Sequence, residues 1–194
     1  MQLKRLFSTS SAKGKRGYLD TQKKYEVLRT LLYFAVSASL FIAGYLQTGE
    51  KANLLTVVAV LGCLPASKSA VSAVMFLRFK SCGREAAEVI AQHEEGLRGL
   101  YDMVFTSYKK NFVIGHLAVR GGTLCGYSED PKLQEEEFRK HIDHHLKMDG
   151  HKDVTIKVFT DREKYVQRLE QLKALDPEER RTEAIIATLL SVSL

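Results

Sequence analysis

The sequence predicts an α+β protein: a two-helix transmembrane hairpin, then a small cytoplasmic α-β-β-β-α-β-α domain, then a C-terminal helix. Three observations carry this. Two apolar runs lie side by side in the first half of the chain, alternating and amphipathic patterns begin near Gly83, and charge divides unevenly between the two halves. Residues 1–30 hold eight Lys/Arg against two acids, residues 31–80 four against one, and residues 81–194 seventeen against twenty. The net charge of +6 therefore belongs to the flanks of the apolar runs. A nucleic-acid-binding domain would carry its basic patch on the folded part, so the pattern speaks against nucleic acid as a partner. At 194 residues the chain has room for one modest domain plus an anchor.

The organisation read from these patterns is a basic arm over 1–28, a hairpin over 29–80, an α/β domain over 81–175 and an amphipathic helix over 176–194. From Thr30 to Gly49 no residue is charged, which meets the roughly 20 residues needed to cross a bilayer. A second run, Ala52 to Leu77, is interrupted only by Lys68, and the six residues QTGEKA between the runs allow only a tight turn. Lys/Arg residues crowd the outer flanks and leave Lys51 alone in the turn. Both ends are therefore expected on the cytoplasmic side of the cell membrane. The arm is basic, Ser-rich and poor in acids. It reads as a segment held by anionic lipid headgroups or, alternatively, as a transit peptide leading to the mitochondrial inner membrane.

Beyond the hairpin, GREAAEVIAQHEEGLRGL has helical periodicity from Gly83 to Leu100. LYDMVFTSY, NFVIGHLAV and TLCGYSE are β-rich runs parted by KK and RGG, which predicts a three-stranded meander. Asp130-Pro131 is expected to open a helix that closes at Asp149-Gly150. DVTIKVFT alternates as a strand, Asp161 caps a helix running to about Leu175, and Asp176-Pro177 starts the last one.

This order resembles the PD-(D/E)XK, restriction-endonuclease-like core over roughly residues 84–175. The resemblance implies an Asp on the second strand and a Glu-X-Lys on the third, holding a divalent metal. Here those strands read NFVIGHLAV and TLCGYSE, without either element, so a degenerate version is what the resemblance implies. LPASKS, LYDMVFTS, GGTLCGYSED and HKDVTIKVFTD together resemble uncharacterised two-helix membrane proteins of clostridial-type bacteria. That likeness implies an architecture and no activity.

Candidate chemistry is sparse. His141 and His145, four apart, share one helix face and are the candidate metal ligands; a third would have to come from His116, His151 or Cys125. The alternative reading is a solvated, pH-responsive flank. Cys63, Cys82 and Cys125 form no disulfide or zinc pattern. There is no P-loop, GxGxxG, GxSxG or HExxH, and no cofactor is expected. Lys68 either snorkels to the interface or lines a polar interior between copies, and Pro65 frees a backbone carbonyl beside it. The small residues around them suit close helix packing. Ile185, Leu189 and Leu190 of the terminal apolar run are the candidate contacts between copies, unless the domain itself covers them. The function expected is a non-enzymatic, self-assembling membrane scaffold or pore-like homo-oligomer. The alternative is a membrane-tethered, degenerate nuclease-like or metal-dependent enzyme acting on an anionic substrate.

Overall fold

The computed structural model describes residues 13–108 and 110–194. Most of the basic arm's first half, with Lys4 and Arg5, lies outside the described residues. The chain forms two compact units. One is Leu19–Phe79; the other joins residues 13–18 to Lys80–Leu194.

The first unit is a pair of helices, α1 (Tyr18–Thr48) and α2 (Leu54–Leu77). Asn53 builds the turn between them. Its side chain accepts from Thr56 N–H at 2.8 Å and donates to Thr48 Oγ1 at 3.0 Å and to the Glu50 carbonyl at 2.9 Å. The helices meet along small residues: α2 turns Ala59, Ala66, Ser69 and Ala73 inward. A Cβ on Gly62 would lie 2.7 Å from Ser37 Oγ, so a larger residue there would have to turn that hydroxyl aside. The small-residue stripe that the sequence suggested for contacts between copies is thus engaged within one chain. The outward faces remain apolar, with Leu31, Leu46, Leu54 and Leu64 exposed. Both helices are long and apolar enough to cross a membrane, yet only 11% and 17% of their most apolar windows are buried. A helix in the core of a soluble protein would be mostly covered.

The second unit is a mixed four-stranded sheet between two pairs of helices. Its elements are α3 (Arg84–His93), β1 (Arg98–Thr106), β2 (Asn111–Arg120), β3 (Thr123–Tyr127), α4 (Glu135–Met148), β4 (Thr155–Phe159), α5 (Arg162–Lys173) and α6 (Glu179–Val192). The strands lie in the order β1-β2-β3-β4; the first three are antiparallel, and β4 runs parallel to β3. Phe138, Ile142 and Leu146 of α4 and Ile185 and Leu189 of α6 cover one face, packing on Phe105, Phe112, Ile114, Leu117 and Leu124. Ala87 and Ile90 of α3 and Tyr165, Leu169 and Leu172 of α5 cover the other. Strands buried on both faces read as continuous apolar runs, which is how β1 and β2 look in the sequence.

Several boundaries differ from the sequence reading. The first domain helix stops at His93, because Gly96 takes φ 78° and turns the chain so that Arg98–Leu100 join β1. The fourth helix begins at Glu135 and not at Pro131. Asp130 spends its carboxylate on Lys132 N–H, 2.9 Å away, in a local turn. The Gly121-Gly122 pair forms the expected hairpin turn, with Gly121 at φ 55°.

Side-chain alternation reverses in mid-sheet. Leu100 and Met103, three residues apart, both enter the α4/α6 core. Asp102, at φ 55°, sits at the reversal, between the Tyr101–His116 and Met103–Ile114 pairs. Its Oδ1 accepts the Cys82 backbone N–H at 2.8 Å. Tyr101 and His116 are thereby turned toward α3 and α5.

The outer edge of β1 is closed by the chain itself. Tyr101 N–H donates to the Gly14 carbonyl at 2.8 Å, and Leu194 N–H to the Val104 carbonyl at 2.9 Å. Lys13 Nζ reaches the Ser193 carbonyl at 2.8 Å, placing a cation at the C-terminal end of α6.

Candidate functional site

The predicted histidine pair is adjacent but poorly set up for a metal. The rings of His141 and His145 lie 4.7 Å apart at 80°, and His141 tilts against Phe112 at 5.8 Å. His141 Nε2 is buried and finds no hydrogen-bond partner among the described residues. Burial, and then the neighbouring His145 and His144, lower the His141 pKa and hold the ring neutral. No third ligand arrives: His116 and Cys125 point to the opposite face of the sheet, toward α3 and α5. Among the described residues no group of three His, Cys, Asp or Glu side chains converges to hold a metal ion.

The site that the structure does assemble centres on His116. Its Nδ1 lies 2.6 Å from Tyr165 Oη on α5, and its Nε2 lies 2.9 Å from Glu94 Oε2, just past α3. Tyr101 of β1 donates to the same Glu94 oxygen at 2.8 Å. His116 and Tyr165 are 0% exposed and Tyr101 7%, while the Glu94 side chain keeps 27% contact with solvent. Tyr127 stacks on Tyr165 with ring centres 5.5 Å apart.

The bonding fixes the protons. Burial raises the Glu94 carboxyl, but hydrogen bonds from His116 and Tyr101 outweigh it and leave the pKa below the ordinary value, so Glu94 is an anion at neutral pH. Burial pushes Tyr165 well above an ordinary phenol, so its hydroxyl stays protonated and donates. The tautomer of His116 that carries its proton on Nε2 fits this arrangement, donating to Glu94 and accepting at Nδ1 from Tyr165. This chain of donors ties α3, the centre of the sheet and α5 together. Its inner end is closed, because Tyr165 has no exposed surface through which a substrate could approach. Chemically the network is a lock between elements.

Nearby, an open cleft of about 660 Å³ lies at the carboxyl ends of β3 and β4, where Gly83, Tyr127, Glu129 and Asp161 contribute. Such positions commonly hold ligands in sheets with parallel strands. Here both helix ends are already occupied by the chain's own carboxylates. Glu129 accepts from Gly83 N–H at 3.1 and 3.2 Å, and Asp161 Oδ1 accepts from Glu163 N–H at 2.9 Å and Lys164 N–H at 3.2 Å. Cys82, beside them, is an inert thiol. Burial, and then Glu129 and Asp102, push its pKa up to about 12.

In the hairpin, Lys68 and Pro65 are exposed and lie off the seam between the helices. The polar groups inside the seam are ones the sequence reading passed over. Glu26 is 3% exposed and pairs with Arg29; Gln22 donates to it at 3.0 Å. Arg29 Nε and Thr30 Oγ1 reach Ser69 Oγ at 3.2 and 2.9 Å. The signal available was the spacing of Gln22, Glu26, Arg29 and Thr30, which places them on one helical face.

The expected contacts between copies at the C-terminus have a different role. Ile185 and Leu189 are 0% and 1% exposed inside the domain's own core, with Leu190 partly buried against it. The apolar face of α6 is thus covered by its own sheet.

Together these features define a class: a mixed α+β domain with a buried Glu94–His116–Tyr165 network, carried on a chain with a pair of apolar helices. No family model, curated protein or solved structure matches this chain.

Proposed function

We propose that the protein is a non-enzymatic membrane-anchored scaffold. The α1–α2 hairpin lies in a bilayer, both ends of the chain are on the cytoplasmic side, and the α/β domain is displayed there. One observation carries this reading: the outward faces of α1 beyond Thr30 and of α2 are largely apolar and uncovered, with Leu46 at 79%, Leu54 at 80% and Leu64 at 69% exposure. Contiguous apolar surface on this scale needs lipid or protein to cover it. The distribution of Lys and Arg supports the orientation. The non-enzymatic half of the reading is supported by the closed bonding of Glu94, His116 and Tyr165. Self-assembly of copies would use surfaces other than Ile185, Leu189 and the small-residue seam, since these are engaged within the chain.

Alkaline extraction of membranes from cells making the full-length protein tests the anchor, and protease accessibility of tags at each end tests the orientation. The protein should stay in the membrane pellet, with both tags cleaved only from the cytoplasmic side. Release into the supernatant, or protection of one tag and not the other, would overturn the reading.

A further inference from the structure

The hairpin is not level with its own apolar runs, and the offset bears on Lys68. Thr30 and Arg29 bond to Ser69, so the first residue of the uncharged run of α1 stands opposite the residue next to Lys68. On the turn side of that level neither helix carries a charge: residues 30–48 of α1 face residues 54–67 of α2. On the other side α1 bears Arg29, Glu26, Lys24, Lys23 and Asp20 while α2 stays apolar to Leu77. From the turn to the Thr30–Ser69 level the helices rise about 23–27 Å at 1.5 Å per residue. That nearly fills the roughly 30 Å of a bilayer's hydrocarbon. The remaining turns of α2, about 12 Å to Leu77, pass through a headgroup layer of about 5–7 Å and emerge.

We propose that the bilayer boundary lies at the Thr30–Ser69 level, and that Lys68 there binds phospholipid phosphate, with preference for anionic headgroups. The inference rests on the membrane reading above and adds the depth and the ligand. Lys68 is exposed, points off the helix seam and makes no ion pair among the described residues. Its ammonium extends outward at the height where the phosphates stand, so it neither crosses hydrocarbon nor lines a path between copies. Arg29, held by Glu26 and Ser69, is the fixed cation of the same level.

The chain has no tryptophan, so one introduced residue reports its own depth. Val60 and Val71 are both outward-facing, at 63% and 68% exposure. With the boundary at Ser69, Val60 lies near the midplane and Val71 among the headgroups; with the bilayer centred on the whole of α2, the two lie equally deep. Full-length Val60→Trp and Val71→Trp proteins are reconstituted in phosphatidylcholine vesicles whose lipids are brominated near the chain ends. Quenching severalfold stronger for Val60→Trp than for Val71→Trp is expected. Equal quenching overturns the proposed boundary while leaving the membrane reading intact; no quenching of either removes both. In nanodiscs of mixed phosphatidylglycerol and phosphatidylcholine, Lys68→Gln should lower the enrichment of phosphatidylglycerol retained with the protein by about fivefold, the worth of roughly 1 kcal/mol per cation. Lys68→Arg should keep it. Unchanged enrichment in Lys68→Gln overturns the phosphate contact.

Discussion

The hairpin and the α/β domain solve opposite problems with the same residue types. In the domain, Leu and Phe point inward, where Phe138, Leu117 and Leu124 are 0% exposed, and most charges point out. In the hairpin, Leu46, Leu54 and Leu64 point out, while Glu26, Arg29 and Ser69 meet between the helices. The difference teaches that burial is defined by the surroundings each surface is built to meet. Apolar side chains facing outward cost free energy while water surrounds them and cost none against an apolar surrounding, whereas the same residues inside the domain are covered by its own sheet.

Truncation to alanine should therefore weigh very differently in the two regions. Phe138→Ala, which empties the centre of the α4 face, should lower the unfolding free energy of the domain by about 3–5 kcal/mol. Urea denaturation of the full-length protein in detergent, followed by tyrosine fluorescence and circular dichroism, measures it. A loss below 1 kcal/mol would show that the core is not organised around that ring.

Next in size is the buried lock. His116→Ala strips a partner from both Glu94 and Tyr165 and should lower domain stability by about 3 kcal/mol. The lock also sets an acid dependence. The folded-state pKa of Glu94 lies below its unfolded value of about 4.3. Its contribution is fully present above that unfolded value and is lost as pH falls through it toward the folded one. Stability measured from pH 7 down to pH 3 should fall more steeply for the wild type than for Glu94→Gln, which starts lower and changes less. Parallel acid limbs would remove Glu94 from the lock.

A smaller effect, about 1 kcal/mol, is expected for Asp161→Ala, which leaves the first N–H groups of α5 without their cap. Smallest of all is Leu64→Ala on the outer face of α2. It should change the stability of the folded domain by less than about 0.5 kcal/mol, although it removes as much apolar surface as a core substitution does. A domain loss comparable to that of Phe138→Ala would mean that Leu64 is covered by protein.

Much of the architecture was legible because period-2 and period-3.6 patterns do not depend on context. The order of the three β-runs, the Gly121-Gly122 turn and the Asp161 cap follow from local chemistry. The His116 lock was not legible. His116 stands in an apolar run, and its partners Glu94, Tyr101 and Tyr165 are 22, 15 and 49 positions away. Its direction also depends on the reversal at Asp102, a left-handed residue in a stretch that reads as uniform strand. The Glu26–Arg29–Ser69 contact was hidden for a related reason: hydropathy shows where charges stop along each helix and says nothing of how two helices register.

The most direct measurement is hydrophobic photolabelling of the full-length protein in native membranes with a carbene-generating lipid probe, mapped peptide by peptide. Label should concentrate on the outer residues of α1 and α2, at Leu46, Leu54 and Leu64, and spare the sheet and its helices. A hairpin left unlabelled, or labelled no more than the domain, would contradict the account.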